Sequence, residues 1–233
     1  MGANRELKKS IESYWAGKLD AAALLKHSKS LRLSHWKIQA NVGISHIPSG
    51  DFSLYDQVLD TIVTFGAEPS SYVNIPTSEL DSYFAMARGL QKDKIDLPAM
   101  EMKKWFDTNY HYIVPEFVED QNFKLKLDNK FVTHFLEAKE AGIHTRPVLL
   151  GPVSFLLLGK PHKSQPEFSP ISLLDKLVPC YVQLLEDLVN HGADWVQLDE
   201  PCLVLDLPLS LKKSYQSAYS TLGNIKVFTC DSR

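Results

Sequence analysis

Arg146-Pro147-Val148-Leu149-Leu150-Gly151-Pro152 and, further along, Trp195-Val196-Gln197-Leu198-Asp199-Glu200-Pro201 decide the fold. Each is a short run of apolar residues that ends abruptly in Gly-Pro or Asp-Glu-Pro. Such a run suits a strand buried on both faces, as in a parallel sheet covered by helices. Between them, the spacing of apolar residues predicts a long helix from Leu173 to Val189 that closes at Gly192, with Pro179 expected to bend or restart it. A helix over Phe131–Ala141 precedes the first run, and another through Leu211 and Tyr219 follows the second. Tyr110–Val114 and Lys226–Cys230 read as further strands. Strands alternating with helices point to an α/β protein with a parallel sheet, and chemistry-bearing residues at strand ends are the mark of the functional face of a barrel.

The first half is less rhythmic. Asn4 is the expected cap of a helix carrying Leu7, Ile11, Tyr14 and Trp15 up to Gly17, and Asp20 of a second helix reaching Gly43. Ile44–Ile47 is a short apolar stretch, and Pro48 with Gly50 should break any regular element there. Asp51 is expected to start a third helix through Phe65. Residues 66–78 read as loop, Leu80–Arg88 as helix, 89–98 as a polar connection, and Met100–Phe106 as an amphipathic stretch.

Composition excludes several functions. The 233 residues are 44% hydrophobic and 23% charged, with a net charge of −3, ordinary for a chain with a real core and unlike a general nucleic-acid binder. No apolar run reaches the roughly 18 residues of a membrane span. The start has no apolar segment of a signal peptide. Three widely spaced cysteines fit reduced thiols, so a cytoplasmic protein is expected, acting on neither nucleic acid nor membrane. The eight histidines and three cysteines fall into no zinc-binding spacing, and no phosphate loop, dinucleotide fingerprint or Gly-x-Ser-x-Gly elbow occurs. No catalytic residue and no metal ligand is expected.

Two stretches suit a ligand. Arg5-Glu6-Leu7-Lys8-Lys9 puts cations in the first turns of a helix, where the dipole disfavours them; an anionic ligand would relieve the conflict, although by pattern alone a solvated charged face is the more ordinary reading. Trp105-Phe106-Asp107-Thr108-Asn109-Tyr110-His111-Tyr112 concentrates aromatic and hydrogen-bonding groups, as either a ligand wall or core packing requires. Asp199 and Glu200 are adjacent and would point to opposite faces of a continuing strand, so they are a poor acid/base pair. One is expected to meet a ligand and the other to brace a loop.

Taken in order, Arg5–Lys9 with Glu12-Ser13-Tyr14-Trp15, Asp51–Asp56, Phe84–Gly89, Lys104–Tyr112, Arg146–Val153 and Gln197–Pro201 resemble cobalamin-independent methionine synthase, in its N-terminal barrel. The resemblance implies an incomplete (βα)8 TIM-type barrel over residues 1–233, with the first strand and the final elements missing. A full barrel takes about 250 residues and eight strands. The implied activity is methyl transfer from 5-methyltetrahydrofolate polyglutamate to homocysteine. The implied cofactor is zinc, held in the family's C-terminal barrel and not by this chain. That barrel, separately encoded, is the expected protein partner. Arg5, Glu6, Leu7, Lys8, Lys104 and Asn109 match the family's positions for the folate polyglutamate. The chain alone is expected to be inactive; the alternative is a non-catalytic folate-binding module or a decayed remnant.

Overall fold

Leu7 and Ile11, one helical turn apart, are the buried stripe of α1 (Glu6–Trp15) in the computed structural model, which describes residues 1–73, 75–92 and 94–225. Arg5, not Asn4, occupies the cap position, in the left-handed region at φ 59°. The Asp20 carboxylate accepts from the Ala23 N–H at 2.7 Å and starts α2 (Ala21–Asn41), whose Leu24, Ser28, Arg32 and Trp36 repeat every four residues and face inward.

The break expected at Pro48 is instead a strand, β1 (Ile47–Ser49). Proline is tolerated because β1 lies at the edge of its sheet among the described residues, and the Pro48 carbonyl accepts from the Trp36 indole N–H at 3.0 Å. Gly50 then turns the chain at φ 78°, where a Cβ would come within 2.7 Å of the Phe131 ring. The third helix, α3 (Gln57–Thr64), begins at Asp56 rather than Asp51, since the Asp56 carboxylate accepts from the N–H groups of Val58 and Leu59. The loop expected over 66–78 contains α4 (Ser70–Val73), and α5 (Glu79–Arg88) follows, capped by Ser78.

The supposed polar connection is an antiparallel hairpin of β2 (Leu90–Lys92) and β3 (Ile95–Leu97). Met100–Phe106 supplies β4 (Met102–Lys104), antiparallel to β5 (His111–Ile113). The remaining elements are β6 (Glu116–Phe117), α6 (Lys130–Glu140), β7 (Thr145–Leu150), α7 (Pro152–Leu157), β8 (Lys160–Pro161), α8 (Leu174–Asn190), β9 (Gln197–Asp199) and α9 (Leu209–Leu222). Helix α8 runs unbroken through Pro179. The strand expected over Lys226–Cys230 lies outside the described residues.

The sheet order is β1-β7-β9, all parallel, with Ile47 opposite Thr145 and Leu149 opposite Leu198. β6 and β8 form a separate parallel pair. Among the described residues the parallel strands therefore make an open sheet and not a closed ring. The alternation of strand and helix is as expected, and it places the carboxyl ends of β7 and β9 side by side. One apolar core joins α1, α3, α5, α6, β7, α7 and α8, with Phe65 stacked on Tyr181 at 4.4 Å between centroids. The Tyr181 hydroxyl donates to the Leu150 carbonyl at 2.6 Å, fixing α8 against the end of β7.

Candidate functional site

At the end of β7, Gly151 leads straight into α7 with Pro152 at its first turn, where the missing proline N–H costs nothing. The free N–H groups of Val153 and Ser154 donate to the Glu200 carboxylate at 3.1 and 2.6 Å. A third donor, the Tyr219 hydroxyl, reaches the same carboxylate at 3.0 Å. Gly151 is required by this closeness, since a Cβ there would sit 2.3 Å from Glu200. Burial pushes the Glu200 carboxyl above its usual range, while the donors at Ser154 oppose that. Glu200 is thus the bracing member of the Asp199–Glu200 pair. Asp199 takes the Gln197 side-chain amide at 2.6 Å, and with Gln57, Trp105 and Leu198 it lines a cavity of about 320 Å³ that Glu200 also borders.

Across that cavity lies the β4–β5 hairpin. Trp105 is its hub, with Phe106, Tyr110 and Tyr112 set edge-on at 5.3 to 6.4 Å. Phe106 is left-handed at φ 49°, a strained turn held by the Thr108 hydroxyl, which donates to the Trp105 carbonyl at 2.6 Å. Lys104, at the end of β4, and Asn109, in the turn, are both exposed. The hairpin is anchored from beneath by Asp56, whose buried carboxylate accepts from the Ile113 N–H at 3.1 Å as well as capping α3. Burial pushes the Asp56 pKa up to about 6.

The α1 segment is elsewhere. Arg5 and Lys8 are exposed, Glu6 is half-buried, and Leu7 is core. The conflict expected between cations and the helix dipole is relieved by the chain itself: Glu6 folds back over the helix start, where its own backbone N–H and the Asn4 N–H, accepted at 3.0 Å, hold its carboxyl below the usual range. Lys8 pairs with Glu12 at 3.7 Å on the outer face. Leu7 borders a cavity with Arg32, His35 and Asp51, whereas Trp105, next to Lys104, borders the one at Asp199. Arg5, Glu6, Leu7 and Lys8 thus form one group and Lys104 with Asn109 another, and neither cavity contains residues of both groups. The sequence offered Asp199 and Glu200 as a brace and a ligand contact without telling them apart, and the Asp56 anchor had no signature, because the Ile113 N–H it accepts lies far along the chain.

No group of three His, Cys, Asp or Glu side chains able to hold a metal occurs among the described residues. Cys180 is on α8 and Cys202 follows β9; burial raises both thiols above their usual pKa, the reverse of what a thiolate ligand needs. The described residues do not fit a zinc site. No described helix is long and apolar enough to cross a membrane.

A parallel α/β sheet with its polar residues gathered at the strand ends defines the general class. The family is given by comparison: the cobalamin-independent synthase N-terminal domain matches residues 1–229, and the chain belongs to that family. A probable 5-methyltetrahydropteroyltriglutamate–homocysteine methyltransferase of Schizosaccharomyces pombe is 52% identical over 231 residues, covering 97% of this chain and 30% of its own length. The methyltransferase of that name from Saccharomyces cerevisiae is 49% identical over 229 residues, with coverage of 96% and 30%. The chain therefore spans about 30% of the length of these relatives. A putative vitamin-B12 independent methionine synthase from Listeria monocytogenes superposes with a TM-score of 0.58 at 14% identity, over 94% of this chain and 57% of that one, which is a likeness of fold.

Proposed function

We propose that the chain, over residues 1–233, is the folate-polyglutamate-binding part of a cobalamin-independent methionine synthase in the cytoplasm, and that its open sheet is part of a (βα)8 barrel. Arg5, Glu6, Leu7, Lys8, Lys104 and Asn109 bind 5-methyltetrahydrofolate polyglutamate, and the methyl group passes to homocysteine. Zinc and the homocysteine site belong to a second barrel, so the isolated chain transfers no methyl group. The observation that carries the reading is the exposure of Arg5, Lys8 and Lys104 in a chain of this family. Cations on the surface can meet the carboxylates of a polyglutamate tail without desolvation, and Glu6 can leave Asn4 for solvent when the tail arrives.

The test is calorimetry with the triglutamate and monoglutamate forms of 5-methyltetrahydrofolate, on the native chain and on Arg5→Ala/Lys8→Ala. The native chain should prefer the triglutamate and the variant should not. Equal affinities in the native chain would defeat the assignment.

A further inference from the structure

The cavity of about 320 Å³ at the carboxyl ends of β7 and β9 is lined by Gln57, Trp105, Leu150, Leu198 and Asp199, with Glu200 at its border. Its volume lies at the lower end of small-molecule sites, and a crevice beyond the carboxyl ends of parallel strands is where open α/β sheets bind ligands. Gln57, Trp105 and Asp199 are each partly exposed, so a solute can reach them.

With Glu200 taken up as the brace, Asp199 is left without a structural task. Its carboxylate accepts one hydrogen bond, at Oδ1 from the Gln197 side-chain amide at 2.6 Å, and Oδ2 has no donor among the described residues. Nor does Asp199 form an ion pair among the described residues. No Lys, Arg or His lines the cavity. The two helices that start beside it have their first N–H groups answered by other carboxylates, α3 by Asp56 and α7 by Glu200. The cavity therefore holds an unneutralised negative charge beside an indole. A cation that donates N–H groups satisfies the carboxylate, and the π electrons of the indole attract the same charge. Gln57 offers a second, neutral acceptor, and Leu150 with Leu198 favours an apolar body.

We infer that this cavity binds a small aromatic amidinium or primary ammonium ion, its N–H groups on Asp199 and its ring against Trp105, Leu150 and Leu198. The inference does not rest on the folate reading, since none of Arg5, Glu6, Leu7, Lys8, Lys104 and Asn109 lines the cavity.

The probes are benzamidinium and benzamide, which share a shape and differ in charge, titrated into the chain labelled at the indole nitrogens. Benzamidinium should bind at least about fivefold more tightly, the difference that a charge-assisted hydrogen bond makes. It should move the Trp105 indole signal, which Trp105→Phe identifies by its loss. Asp199→Asn keeps an acceptor for Gln197 and should bring benzamidinium down to the affinity of benzamide while benzamide binds as before. A carboxylate that only shapes the cavity would change both alike. The comparison of the two probes on the native chain stands whether or not the variant folds. Equal binding of the two probes, binding that leaves the Trp105 signal in place, no binding at millimolar benzamidinium, or an undiminished preference for it in folded Asp199→Asn would each overturn the inference.

Discussion

The Glu200 carboxylate, at the end of β9, accepts the Ser154 N–H at 2.6 Å and so caps a helix that follows a different strand. The ends of β7 and β9 are thereby fixed relative to each other by one side chain with three donors. Glu200→Gln keeps the shape but replaces one acceptor oxygen by a donor, so at least one of the donors from Val153, Ser154 and Tyr219 loses its partner. An unsatisfied buried donor costs about 1–3 kcal/mol. Urea unfolding of the variant should show a loss in that range with an unchanged slope. A loss below about 0.5 kcal/mol, the size of a neutral surface change, would show that water replaces the brace.

Asp56 gives the fold a pH dependence. Its folded pKa, pushed up to about 6 from the ordinary 3.8, means the folded chain binds its proton more tightly than the unfolded chain. The stability it contributes is full below about pH 4 and is lost as the pH rises through about 6, a change of roughly 3 kcal/mol. Asp56→Asn, which still accepts from Val58 or Leu59, should remove this part of the pH dependence. Unfolding curves of both proteins from pH 4 to pH 7 check it: the native chain should lose up to about 3 kcal/mol relative to the variant as the pH rises. A native chain that holds or gains stability relative to the variant over this range would reverse the assignment.

Much of the second half of the fold is legible in the sequence because its elements are regular. Leu177, Tyr181, Leu184, Leu185 and Leu188 repeat at helical spacing and are buried on α8. Leu149 and Leu150 sit in β7 because an apolar run between Arg146 and Gly151 has no other use. The first half departs from expectation where a tertiary contact overrides a local signal. Pro48 is a breaker until the Trp36 indole and a sheet edge accommodate it. Asp51 and Asp56 are equally good caps by type, and the closing of Ile113 onto Asp56 selects the second. Leu90–Leu97 pairs as a hairpin of mostly exposed residues, and its apolar alternation, Ile95-Asp96-Leu97, is too short to read. The candidate site residues came from family resemblance, since exposed lysines such as Lys8 and Lys104 look like any solvated charge.

The Arg32–Glu137 pair joins α2 to α6 with both side chains about one-tenth exposed. Removing one partner strands the other charge: Glu137→Leu should destabilise the chain by about 3–5 kcal/mol. Arg32→Met together with Glu137→Leu should recover most of that loss, because an apolar pair of similar volume needs no solvation. Thermal unfolding of the two variants tests the claim. A double variant as unstable as the single one would mean that the pair's geometry, and not its desolvated charge, is what α2 and α6 need.

Lys104 offers a test of the folate reading that does not disturb the fold. Its side chain is exposed at the end of β4, and changes at such positions stay within about 0.5 kcal/mol of neutral. If its ammonium meets a carboxylate of the polyglutamate tail, Lys104→Ala should weaken the triglutamate by about twofold to fivefold, the range for an exposed ion pair. The monoglutamate, which lacks the further carboxylates, should bind as before. Exposed charges are screened beyond about 8 Å at physiological ionic strength and beyond about 3 Å in molar salt, so the loss should shrink as salt is added. Asn109→Asp, which puts a negative charge in the same hairpin, should weaken the triglutamate in the same salt-dependent way. Titrations at low and high salt on the native chain and both variants decide the matter. A Lys104→Ala effect that is equal for the two ligands, or that persists undiminished in molar salt, would place Lys104 outside the tail's path.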